Sequence, residues 1–213
     1  MTPLQLPESS GGGRFPGFDV VEQSPHWDEA TRRVVLARLD PPDPLRFFDT
    51  HEEATARALF DQLLDQHDEP RVPVINMVDQ RLTRAETDGW HYEGMPPDGE
   101  TWKLSLANLD RDAQSRFSRD FYELARDEQG GLLQAVLDLG STEWHGIAAT
   151  RIWSLWTRYA CTAFYSHPDA WDEIGFAGPA YPRGYKNMGV NRLEPFEVKD
   201  AHPRQDPLRG EAE

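Results

Sequence analysis

The sequence predicts a mainly α protein: an irregular bundle of about five helices, with an extended N-terminal arm and a C-terminal tail rich in proline and aromatic residues. Apolar residues recur at three- and four-residue spacing in several segments between 50 and 165, the period of a helix with one buried face. Prolines and glycines punctuate the chain between those segments. A length of 213 residues supports one domain with a real core and is short for two.

Residues 1–25 read as a flexible arm, because Gly11-Gly12-Gly13 and the flanking Pro and Ser cannot support a packed element. Residues 26–165 read as the helical domain. Its first apolar stretch, Val34-Val35-Leu36-Ala37, is closed by Pro41-Pro42-Asp43-Pro44 and reads as a short strand or an extended segment. Thr50-His51-Glu52-Glu53 fits a capping box. The helix after it carries Ala56, Leu59, Phe60 and Leu63 on one stripe and ends near His67, before Pro70.

A second helix starts after Pro73 with Ile75, Val78 and Leu82 at helical spacing, and residues 86–101 read as a loop. Asn108 or Asp110 can cap a third helix bearing Phe117, Phe121 and Leu124, and Gly130-Gly131 separates it from a short helix through Leu132, Val136 and Leu137. Ser141 or Thr142 then caps the longest element, about 144–165. Its stripe is Trp144, Ala148, Ile152, Leu155 or Trp156, Tyr159 and Ala163. Residues 166–200 form an extended docking tail, and 201–213 are expected to be disordered.

Composition excludes several functions. A net charge of −15 disfavours nucleic acid, whose phosphates demand clustered Lys and Arg, and also anionic lipid. A single cysteine, Cys161, excludes an internal disulfide framework; its place in the last turn of an apolar helix suggests a buried, inert thiol. No apolar run reaches the length of a membrane span, and the N-terminus lacks the pattern of a secretory signal. Arg32-Arg33 has no hydrophobic segment behind it, so it is not read as an export signal. Cytoplasm is the expected location, with the periplasm reached only on a partner's signal.

No catalytic, cofactor-binding or metal-ligating residue is assigned. His51-Glu52-Glu53 looks metal-like, but residue 55 is Thr where a zincin needs a second His. His145 and His167 are the candidates for acid–base chemistry. His145 reads as surface or core-edge, and His167 as a cation at the end of the long helix. Gly11-Gly12-Gly13 follows no strand and opens no helix, so it is no phosphate cradle.

The run from Tyr165 to Tyr185 is the most informative part of the chain. Pro168, Pro179 and Pro182, with Gly175, Gly178 and Gly184, argue against a helix there, yet the run is dense in rings. Trp171, Phe176, Tyr181, Pro182, Arg183 and Tyr185 are read as a partner interface, with Arg183 as a bidentate hydrogen-bonding group and Trp153 or Trp156 behind them.

This tail resembles the C-terminal signature of the gluconate 2-dehydrogenase subunit 3 family. The resemblance extends back through Phe47-Phe48, Val72-Pro73-Val74-Ile75-Asn76-Met77-Val78-Asp79 and Phe117 to Leu124, covering roughly residues 45–190. It implies a small non-catalytic subunit that binds, stabilises and helps mature a large FAD-dependent dehydrogenase of the glucose–methanol–choline type, in a hetero-oligomer oxidising the alcohol carbons of sugars or polyols. FAD is then expected in the partner and no cofactor in this chain. The alternatives are a free-standing helical enzyme using His145 or His167, or an acidic adaptor or chaperone unrelated to flavoproteins.

Overall fold

The computed structural model describes residues 13–69, 71–90, 92–190 and 192–204. The expectations for the arm before residue 13, including most of the Gly11-Gly12-Gly13 run, and for the end of the tail after 204 lie outside the described residues. The fold is mainly α, as the sequence predicts, and divides into two compact units. One is Pro42–Phe164; the other joins the described residues of Met1–Pro41 to those of Tyr165–Glu213.

The first unit is the bundle. Its helices are α2 (Thr50–Leu64), α3 (Val74–Thr83), α4 (Asp98–Phe117), α5 (Arg126–Asp138) and α6 (Ala149–Phe164), and α2 and α6 each touch the other four. The capping box of α2 lies one residue earlier than expected. Asp49 Oδ1 accepts the amides of His51 and Glu52, while Glu52 Oε2 accepts the amide of Asp49; each carboxylate satisfies orphan donors of the first turn. The helix stops at Leu64 because Asp65 adopts φ 53°, a left-handed cap.

Trp102 of α4 is fully buried and centres the core. Phe60 of α2 and Tyr159 of α6 lie 5.4 and 5.7 Å from it, with Phe48 at 6.2 Å. Asp79 of α3, 2% exposed, accepts the amides of Arg46, Phe47 and Phe48 at 2.8, 2.8 and 2.9 Å. Three amides converging on one buried carboxylate leave no polar group there unpaired, and Asp79 ties the bend before α2 onto α3.

Several boundaries differ from the expectation. α4 starts at Asp98, ten residues before Asn108, because Pro97 sets the N-cap and Gly99 sits in the first turn, where a glycine costs little. Gly130-Gly131 lies inside α5, held by flanking helix formers and by Glu128 accepting the Ala125 amide. Residues 143–148 are a two-residue hairpin, β1 (Glu143–Trp144) paired antiparallel with β2 (Ile147–Ala148). Its turn residues, His145 and Gly146, both take positive φ, as the tightest hairpin turn demands. Cys161 is exposed, contrary to the buried thiol expected, because the buried face of α6 runs through Tyr159, Ala160, Ala163 and Phe164.

The second unit contains α1 (Glu29–Leu36), which replaces the strand or extended segment expected at Val34–Ala37. The Asp28 carboxylate accepts the Thr31 amide and starts it. It also contains α7 (Pro168–Ile174), within the stretch expected to be non-helical. Pro168 is the first residue of α7, where the missing N–H is an orphan anyway and the ring pre-sets φ. Val20, Trp27, Val35 and Trp171 form the core of this unit.

Candidate docking surface

The second unit presents the chain's aromatic tail, and its geometry begins at α7. His167 caps the helix: its Nδ1 accepts the Asp169 amide at 3.3 Å, and its Nε2 lies 2.9 Å from the Arg38 carbonyl. Only the neutral ring protonated at Nε2 makes both bonds. Burial lowers the His167 pKa, Asp169 opposing, so the ring is a neutral helix cap and not the cation at the end of α6 that the sequence suggested. Asp172 accepts the Val20 amide at 2.6 Å; burial pushes its carboxyl up to about 7, with Asp19 and Asp169 adding to the effect.

Trp171 is 5% exposed and its indole donates to the Tyr165 carbonyl at 2.7 Å. It belongs to the unit's core, and its edge meets the Phe176 ring at 5.2 Å. Gly178 closes the packing. It has φ +74°, and a Cβ there would stand 2.6 Å from Trp27 Cζ2, so only glycine fits.

Around and beyond Gly178 the surface changes character. Phe176, Tyr181 and Tyr185 are 39%, 66% and 53% exposed. Pro182 follows a cis peptide bond and is exposed as well. Arg183 is held in place by Nη1, which donates to Gln23 at 3.0 Å, and by its guanidinium 3.8 Å over Phe196, while Nε and Nη2 are buried with no hydrogen-bond partner among the described residues. The loop between Tyr185 and Phe196 is held from within by Glu194, 6% exposed, which accepts the amides of Lys186 and Asn187. Met188 and Val190 stand at its tip, 82% and 91% exposed.

The two remaining candidates belong to the bundle. Trp156 is fully buried, its indole donating to Ser105 Oγ at 3.0 Å, and Trp153 is half-buried beside it at 6.3 Å. Trp156 is therefore a core residue, and so is Trp171. The sequence could not separate them from the exposed rings, because all lie on helical stripes or among glycines and prolines. Met188 and Val190 were missed, since isolated apolar residues in a polar stretch carry no periodic signal.

Two other clusters have structural accounts. His145 Nε2 and the Trp144 indole both meet the Asp112 carboxylate at 2.8 Å, an arrangement that pins the hairpin to α4. His51, Asp110 and Asp120 bring ligand-type atoms within 4.8 Å of one another. Asp110 there accepts from Thr55 Oγ1 and the Phe121 amide, with His51 Nε2 at 3.0 Å, so it joins α2 to the turn after α4. In the bundle a cleft of about 510 Å³ is lined by Phe47, Leu82, Pro97, Leu104 and Tyr159. The Tyr159 phenol donates to Asp98 at 2.7 Å, and burial and that carboxylate drive its pKa up, which keeps it protonated.

The family model for gluconate 2-dehydrogenase subunit 3 matches residues 50–178. The chain belongs to the gluconate 2-dehydrogenase subunit 3 family. No curated protein and no solved structure matches it. In this subunit 3 protein the matched stretch runs from the first turn of α2 to Gly178, the glycine that seats Trp27. The exposed loop from Tyr181 to Phe196 lies beyond the matched residues. The family's name implies a component of a multi-subunit dehydrogenase, and among the described residues no helix is long and apolar enough to cross a membrane.

Proposed function

We propose that this chain is the small accessory subunit of an FAD-dependent dehydrogenase that oxidises sugar or polyol alcohol groups, and that it binds and stabilises the large catalytic subunit. Membership of the subunit 3 family over residues 50–178 carries the reading. Hydride chemistry then belongs to the flavin of the large chain, and this chain contributes binding energy and stability through linkage. The engagement of His167 as a neutral cap and of His145 with Asp112 supports a role outside acid–base catalysis.

Purification of the tagged chain from its native host tests the proposal. The expected result is a stoichiometric large chain on a denaturing gel together with the near-ultraviolet and blue absorption of flavin. A colourless, monodisperse single chain overturns it.

A further inference from the structure

From Ile174 to Leu193 the sequence holds no Asp or Glu, although the whole chain has 37 of them, and it carries Arg183, Lys186 and Arg192. This is a cationic stretch on an acidic protein. It is also where exposed apolar side chains concentrate: Tyr181, Tyr185, Met188, Val190 and Leu193 are all at least 43% exposed. Surface apolar residues scattered singly need no explanation, but a run within one short segment marks an interaction site.

The loop that presents Met188 and Val190 is built. The Glu194 carboxylate turns inward onto the amides of Lys186 and Asn187, and Asn187 Nδ2 donates to the Leu193 carbonyl at 3.3 Å. The Tyr185 and Phe196 rings meet at 6.1 Å with a 45° tilt across its base, and the Arg183 guanidinium lies over the Phe196 ring. Ordering is thus supplied before binding, which removes part of the entropic cost of association.

We propose that the Met188–Val190 tip is the anchor of this chain on its partner, and that the receiving face is an apolar pocket rimmed by carboxylates. The proposal rests on the accessory-subunit reading and names the chemistry of that contact. The tip supplies the apolar plug; Lys186 and Arg192 flank it and meet the acidic rim, setting orientation and association rate. Tyr181 and Tyr185 extend the contact as rigid, low-entropy rings. Trp171 and Trp156, buried in their own units, take no part.

The test uses the full tagged chain in its native host. Wild type is expected to retain the flavin-bearing large chain, while Met188→Asp with Val190→Asp lowers that retention at least tenfold. Both residues are almost wholly exposed, so the unit keeps its fold, checked by an unchanged indole N–H resonance of Trp171. Lys186→Glu with Arg192→Glu is expected to slow association and flatten its salt dependence. Retention of the large chain by the folded Asp variant overturns the anchor, and indifference to charge reversal overturns the acidic rim. Absence of a flavin-bearing chain from the wild-type purification is a different result: it overturns the accessory-subunit reading itself, and this proposal with it.

Discussion

Asp172 shows how one carboxyl sets a pH dependence. In an unfolded chain an Asp titrates near ~3.9, but here burial raises it to about 7, and Asp19 and Asp169 push the same way against the Val20 amide. Between those values the folded unit keeps a proton that the unfolded chain has lost. The stability that Asp172 lends is therefore complete at acid pH and drains away as pH rises through about 7. Asp172→Asn keeps an acceptor for the Val20 amide and carries no charge. At about pH 8 it should be more stable than wild type by about 1–2 kcal/mol, discounted for the carboxyl's remaining exposure, with the difference gone near pH 4. Denaturant melts at the two pH values check this, and equal midpoints at the higher one would refute it. His167 works in the opposite sense. Burial lowers its pKa, so its contribution is fully present above about 6.5 and is lost as pH falls from there through the lowered folded value.

Among the elements, α3 and the segment before α2 depend on one another through Asp79. Asp79→Ala leaves the amides of Arg46, Phe47 and Phe48 without acceptors in a buried site, and the loss should reach about 3 kcal/mol or more. Thermal unfolding by circular dichroism measures it. Asp79→Asn should recover part of that loss, because one amide oxygen still accepts. Phe47-Phe48 and the segment ending in Asp79 are thus two halves of one contact. Helices with strong apolar stripes were legible in the sequence, as α2, α3 and most of α6 show. The first half of α4 was not, since its buried face includes Thr101 and Ser105, polar residues satisfied by local bonds. α7 was hidden by Pro168, whose helix-starting role depends on position, and the hairpin by strands only two residues long. The candidate surface was legible as a concentration of rings, but which of them are exposed (Tyr181, Tyr185) and which buried (Trp171, Trp156) depends on long-range packing that spacing does not encode.

On the scale of the whole molecule, the second unit draws on two stretches far apart in sequence. Trp171 packs with Val20, Trp27 and Val35, Arg14 pairs with Asp200, and the Ala201 amide donates to the Arg14 carbonyl at 2.7 Å. Deleting residues 1–41 removes three of the four members of that core. The truncated chain should keep the helicity of Pro42–Phe164 while the Trp171 indole resonance collapses to a solvent-exposed value, and it should no longer retain the large chain. An unchanged resonance would show that the C-terminal stretch holds its shape alone. The pairing of Arg14 with Asp200 has a further consequence, in time. On the ribosome, residues 42–164 emerge with all their partners and can fold as they appear. The second unit must wait for residues near 200 before its two stretches can meet, so any contact made through it forms only after the bundle has emerged.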